Sequence, residues 1–272
     1  MLYTPYSHLT WNMSNHFDEE IIDKYVRRKE KKILKDSELA EVLEEVFDYW
    51  TVKAIYKLMN KGVISKIYGA VAAGKEARIY WGESPSGDSL AVKIFLVTTA
   101  EFRRGRLKYI EGDPRFRMTR RDMRSIVRLW CHKEYRNLKR AYEHGIRVPK
   151  PYAHLENILV MEFIDAGTPG VPAPLIKDLP PEDPEKSFNE ILGYIEKMYR
   201  EAELVHADLS EYNILNKNEE MVIIDWGSAV LTSHVRAKEF LLNDVTNIFR
   251  FFSKLGVDTG DPLEFFKHLI EE

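Results

Sequence analysis

The chain has 272 residues, a formal net charge of -3, 44% hydrophobic residues and one cysteine, Cys131. That length allows two lobes around a real core, and the charge balance excludes a generally basic nucleic-acid binder while leaving room for a local patch. A lone cysteine excludes an internal disulfide, and no Cys/His spacing suits zinc.

The opening MLYTPYSHLTWN lacks a charged stretch followed by an apolar one, and no apolar run reaches the roughly 20 residues that span a bilayer. A soluble, unprocessed, cytoplasmic chain with no membrane partner is expected. From Asp18 to Lys61 helix formers dominate, with Leu39, Val42, Leu43, Val46 and Phe47 at helical spacing behind a possible Ser37 cap. The Arg27 to Lys32 charge run reads as the solvated face of such a helix. Next come three short β-branched or aromatic runs, Ile64 to Ala70, Ala77 to Trp81 and Leu90 to Phe95, separated by turn residues. They predict an antiparallel three-strand meander. A helix over Ile126 to His144 closes at Gly145, and a strand over Asn157 to Glu162 runs into the Gly/Pro-rich break Gly167 to Pro174. Pro184 to Ala202 is amphipathic, with Phe188, Ile191, Leu192, Ile195, Met198 and Tyr199 on one side, and a short buried strand covers Met221 to Ile224.

The strongest chemical signal is HADLSEYN, His206 to Asn213, followed after a strand by IDWG, Ile224 to Gly227. Phosphoryl transfer from ATP needs a carboxylate near the acceptor and oxygen ligands for Mg²⁺, because the triphosphate charge must be neutralised while geometry is held. Asp208 stands five residues before Asn213, as a kinase catalytic-loop Asp does, and Asp225 ends an apolar strand as a metal-binding Asp does. His206 reads as a strut under the loop. Upstream, Leu90-Ala91-Val92-Lys93 matches the strand whose lysine holds the α- and β-phosphates and pairs with a helical glutamate. Glu134 is the leading partner and Glu143 the runner-up.

GAVAAGKEARIY, Gly69 to Tyr80, occupies the place of a phosphate-covering loop, with Gly74 permitting the turn and Val71 and Lys75 beside the nucleotide. It is not a Walker A motif, since Lys75 is followed by Glu76 and a strand. ILVMEFI, Ile158 to Ile164, reads as the hinge strand: the Glu162 carbonyl and Ile164 N–H are the adenine contacts, with Met161 and Ala91 lining the pocket.

These residues resemble the RIO family of atypical protein kinases, its first branch more than its second, through AAGKEARIY, AVKIF, YIEGDPRFR, KEYRNLKRA, LVMEFI, PAPLIKDL, LVHADLSEYNIL and IIDWG. The resemblance implies an α+β, two-lobed protein-kinase-like fold: a small antiparallel-sheet N-lobe and a short, mostly helical C-lobe, preceded by N-terminal helices. The implied boundaries are 1–62 for the helical segment, 63–165 for the N-lobe with a basic loop over 98–125, and 166–272 for the C-lobe. It further implies ATP with Mg²⁺ or Mn²⁺, Asp208 as catalytic Asp, Asn213 and Asp225 as metal ligands, and a role in maturing the small ribosomal subunit. In this family the metal-binding Asp is also implicated in accepting phosphate during an ATPase cycle. Two departures stand out. Ala72 and Ala73 replace the hydroxyl residues usual in the phosphate loop, and Trp226-Gly227-Ser228 differs from the D-x-S-Q text common in this branch.

The stretch from Asp225 to Glu272 is short for an activation loop and a peptide platform, which predicts either recognition of a large partner by other surfaces or ATP hydrolysis used as a switch. Arg103, Arg104, Arg106, Lys108, Arg115, Arg117, Arg120, Arg121, Arg124 and Arg128 interleave with Tyr109 and Phe116. Charge mixed with aromatics suits phosphate attraction plus base stacking, so contact with rRNA or a pre-ribosomal small subunit is expected there. Two alternatives stand beside a serine/threonine kinase or ATPase. One is a small-molecule phosphotransferase of the aminoglycoside-kinase type, which needs an acidic acceptor pocket in a larger C-terminal lobe. The other is a non-catalytic, ATP-gated assembly module.

Overall fold

The computed structural model describes residues 47–96, 105–106, 108–116 and 122–271. The expected helix behind Ser37 therefore lies outside the described residues, apart from its end. Helix α1 (Tyr49–Asn60) starts on Asp48, whose side chain accepts the Thr51 N–H at 2.8 Å. Strands β1 (Lys66–Ala73), β2 (Ala77–Glu83) and β3 (Ser89–Phe95) form the predicted meander. After helix α2 (Met123–Glu143), strands β4 (Pro151–Leu155) and β5 (Ile158–Glu162) complete an antiparallel sheet of order β1-β2-β3-β5-β4 among the described residues.

Alternation along the two central strands sets the layers. Leu90, Val92 and Ile94 of β3 and Ile158 and Val160 of β5 share one cluster with Ala54, Ile55 and Leu58 of α1. Their odd-numbered neighbours on both strands turn the other way: Ala91, Phe95, Leu159 and Met161 join the main core with α2. Both faces are covered, which explains why these strands read as continuous apolar runs. Lys93 lies on the α2 side, in register with Leu159.

The second lobe is helical. Helix α3 (Pro184–Arg200) carries Asp183 at its cap and proline at its start, and buries Phe188, Ile191, Ile195 and Met198. Short strands β6 (Leu204–Val205) and β9 (Val230–Leu231) pair with each other, as do β7 (Ile214–Lys217) and β8 (Glu220–Ile223). Helix α4 (Ala237–Lys254) fills the core with Phe240, Val245, Ile248, Phe249 and Phe252, and α5 (Pro262–Glu271) packs on α3 and α4. Among the described residues no helix is long and apolar enough to cross a membrane.

Helix α2 begins three residues earlier than the apolar pattern predicts, because Asp122 caps it by accepting the Ser125 N–H at 2.9 Å. Its far end is as predicted: Gly145 takes a φ of 70° and donates to Tyr142 O. Strand β1 also runs past its expected end at Ala70, so the loop before β2 shrinks to Gly74, Lys75 and Glu76.

Candidate active site

A cleft of about 690 Å³ separates the lobes, roofed by Val71, Gly74, Lys75, Ile79 and Ala91 and floored by Leu215, Ile224, Asn213 and Asp225. Met161, Glu162 and Ile164 line its closed side. The Ile164 carbonyl accepts the Ala173 N–H at 2.9 Å, while its own N–H has no backbone partner among the described residues.

The structure joins residues far apart in sequence. Lys93 Nζ donates to Glu134 at 2.7 and 3.0 Å and to Asp225 Oδ1 at 3.0 Å. Burial works against the charge on Lys93, yet Asp225 and Glu134 outweigh it and raise the ammonium above its usual range. Asp225, facing the cleft, is correspondingly lowered, chiefly by Lys93. Glu143, by contrast, is exposed at the end of α2 and sits 3.6 Å from Lys139.

Asp208 is exposed on the loop between β6 and β7, where Asn213 Nδ2 donates to its carbonyl at 2.7 Å. Partial desolvation, then the negative charge of Asp225, raises its carboxyl. The loop is held from below. Asp244 of α4 accepts the N–H groups of Ala207 and Leu209 at 2.7 and 2.8 Å, gripping the backbone on either side of Asp208. Ala207 needs that grip, since its φ of 66° is strained for a residue with a side chain. Asp225 adopts a similar φ of 64°.

His206 is buried, donates from Nε2 to the Ile224 carbonyl at 3.0 Å and packs edge-on to Trp226. Burial lowers it to about 4, so it is neutral and structural. The unfolded chain, with an ordinary histidine near 6.5, binds the proton more readily. Stability from His206 is therefore full above pH 6.5 and is lost as pH falls toward 4, by roughly 2 to 3 kcal/mol between pH 7 and 4.5. Urea unfolding of the wild type should show that acid loss, and His206→Phe should be less stable at pH 7 but flatter with pH. Parallel pH slopes for the two proteins would contradict the assignment.

Several site residues escaped sequence reasoning. Lys133 and Asn137, fully buried on α2, donate to backbone carbonyls of the segment after Asp225. Burial lowers the Lys133 ammonium to about 7. Trp130 packs on Gly227, where an added Cβ would meet the indole at 2.8 Å, and the Arg106 guanidinium lies over the same indole at 4.5 Å. Arg106 also pairs with Glu76 of the β1–β2 turn. The available signal was polar residues at core positions of an amphipathic helix.

The basic stretch is only partly as expected. Tyr109 and Phe116 are buried in the core, so they offer no ring to a base. Arg115 pairs with Asp113 at 2.7 Å, Arg128 with Glu156 at 2.8 Å, and Arg124 and Lys108 lie over Trp50 and Tyr109. Arg103, Arg104, Arg117, Arg120 and Arg121 lie outside the described residues.

Comparison with known proteins adds kinship. The RIO domain family matches residues 78–264. The RIO-type serine/threonine-protein kinase Rio1 of Haloferax volcanii is 39% identical over 262 residues, covering 93% of this chain and 88% of that protein. Rio1 of Methanocaldococcus jannaschii is 40% identical over 249 residues, 91% of this chain and 81% of that one. Among solved structures, the Rio2 kinase of Chaetomium thermophilum aligns with a TM-score of 0.64 at 20% identity, over 93% of this chain and 76% of that one. The same kinase in an ADP/Mg²⁺-phosphoaspartate complex aligns at 0.63 with 21% identity, over 92% and 75%. The likeness to Rio2 extends the kinase-like fold to nearly the whole chain.

Proposed function

The chain belongs to the RIO family, in its Rio1 branch, and is a phosphotransferase of the serine/threonine kinase kind; on that premise we propose that it uses ATP with Mg²⁺ and acts on a pre-ribosomal small subunit in the cytoplasm. The observation that carries the ATP reading is the convergence of Lys93, Glu134 and Asp225 at one end of an apolar cleft, with Asn213 beside it. Adenine fits between Val71 and Ala91 on the upper side and Leu215 and Ile224 on the lower, with Met161 behind. The Ile164 N–H and Glu162 carbonyl supply its edge contacts.

The donor set suits a hard cation. Asp225 offers a lowered, ionised carboxylate, and Asn213, whose Nδ2 is turned to Asp208 O, keeps Oδ1 as an acceptor. Bound Mg²⁺, or Mn²⁺, supplies charge neutralisation on the triphosphate. Lys93, held protonated, attracts the α- and β-phosphates, and the Gly74–Glu76 turn covers them from above. Asp208 orients the acceptor hydroxyl and takes its proton as the γ-phosphoryl group moves to that oxygen and ADP leaves. Kinship to serine/threonine kinases along nearly the whole chain argues against a small-molecule phosphotransferase.

Incubation with ATP labelled in the γ-phosphate tests the reading. Label on an acceptor serine or threonine, enhanced by small-subunit particles, is expected. Free phosphate as sole product would make the protein an ATPase, and label retained in ATP would leave a nucleotide-gated binder.

For the RNA contact, the support is the family likeness and the arginines outside the described residues. Replacing Arg103, Arg104, Arg117 and Arg120 with serine should weaken rRNA binding and reduce its salt slope by roughly 3 to 4. An unchanged slope would move the contact to another surface.

A further inference from the structure

We infer that Lys133 and Asn137 are positioning residues that set Asp225 for metal and phosphate by bracketing the backbone immediately after it. The inference deepens the phosphotransfer reading and rests on it.

Helix α2 reaches the Asp225 segment along two routes. One is through side chains, since Glu134 holds Lys93 and Lys93 holds Asp225 Oδ1. The other is direct. Lys133 Nζ donates to Gly227 O at 3.0 Å and to Ala229 O, and Asn137 Nδ2 donates to Trp226 O at 3.0 Å and Ala229 O at 2.8 Å. Both side chains are wholly buried. Lys133 forms no salt bridge among the described residues, and the charges of Asp113 and Glu134, which favour its ammonium, do not offset the burial that lowers it. A buried ammonium is costly without a counter-charge, and an aliphatic side chain would fill the same space, so packing alone does not account for lysine here.

What lysine and asparagine provide is donors, aimed at a turn where the Trp226 carbonyl accepts the Ala229 N–H but the Gly227 and Ala229 carbonyls have no backbone partner among the described residues. That turn needs fixing. It follows Asp225 in the left-handed region at a φ of 64°, and Trp130 closes on Gly227 so tightly that no side chain fits there. Trp130, Lys133 and Asn137 lie on one face of α2 and together hold Trp226, Gly227 and Ala229, so the carboxylate of Asp225 stays in register with Lys93. Neither residue reaches the cleft wall, so the effect on chemistry passes through Asp225.

The test uses the full chain with Lys133→Met and Asn137→Leu, which remove the donors at nearly constant volume, and Lys133→Gln, which keeps an N–H donor without charge. ATP binding is titrated with and without Mg²⁺, and phosphate transfer is followed against Mg²⁺ concentration. Lys133→Met should raise half-saturating Mg²⁺ by about tenfold or more, with metal-free ATP affinity within about twofold of wild type. Asn137→Leu should move the same way by less, and Lys133→Gln should recover part of the loss. Unchanged Mg²⁺ dependence in folded Lys133→Met, or metal-free binding falling in step with metal-dependent binding, overturns the proposal. If Lys133→Met does not fold, Asn137→Leu decides by the same two readouts. A wild type that binds Mg²⁺ and ATP yet transfers no phosphate would sink the phosphotransfer reading alone, because the Mg²⁺-dependent binding curves still judge the bracket.

Discussion

Replacing Asp208 with alanine should lower phosphate transfer by about a hundredfold to ten-thousandfold while leaving ATP affinity within about twofold. The asymmetry follows from where the residue sits. Asp208 is exposed at the mouth of the cleft, and the residues that line the nucleotide space do not include it. Its backbone is fixed independently of its carboxylate, through Asp244 gripping Ala207 and Leu209 and through the Asn213 amide bonding to the Asp208 carbonyl. Removing the side chain therefore deletes a proton acceptor without loosening the loop. Single-turnover transfer and equilibrium nucleotide titration on the same protein check both halves. Equal transfer rates in variant and wild type would take the catalytic role away from Asp208.

Asp225→Asn has the second large effect and a different signature. Asparagine tolerates the left-handed backbone at this position better than alanine does, so the substitution removes charge while keeping the turn. Lys93 keeps Glu134 as counter-charge, so the lysine stays protonated. What disappears is the anionic oxygen for the cation. Mg²⁺-dependent ATP binding should weaken by about ten- to a hundredfold and transfer should be lost with it, while metal-free binding changes little. Loss of metal-free binding to the same degree would mean that Asp225 supports the fold of the cleft rather than a metal.

The parts of this molecule that were legible in the sequence are those whose signal is local or ordered along the chain. The β3 strand is a continuous apolar run broken by Lys93, the α3 helix carries its apolar face at helical spacing, and the motifs that hold Asn213 and Asp225 mark residues that line one cleft with Lys93. Glu134, one helical turn from Trp130 and Leu138 and so beside the inward face of α2, is the glutamate whose oxygens meet Lys93, whereas Glu143 is exposed near the helix end. Strand β4 left no trace: Pro151 to Leu155 is half-buried throughout, so neither alternation nor an apolar run marks it. The extension of β1 through Ala72 and Ala73 was hidden for a related reason, since these small residues face solvent at a sheet edge.

Polar residues inside the core were harder still. Lys133, Asn137 and Asp244 each satisfy backbone groups roughly 35 or more residues away, and nothing in a local window announces such a partner. Tyr109 and Phe116 show the converse error. Set among arginines they resemble a nucleic-acid surface, yet tertiary packing draws the rings inward and leaves the charges to pair nearby. Arg106 likewise belongs to the mouth of the cleft, over Trp130 and against Glu76, rather than to an outer basic face.

The central claim is that nucleotide phosphates lie against Lys93 in the interlobe cleft. A lysine-reactive acyl phosphate of ATP, followed by peptide mapping, tests it most directly. Modification at Lys93, with Lys75 of the covering turn as the secondary site, and its suppression by ATP with Mg²⁺ are predicted. Modification scattered over surface lysines and indifferent to ATP would contradict the account.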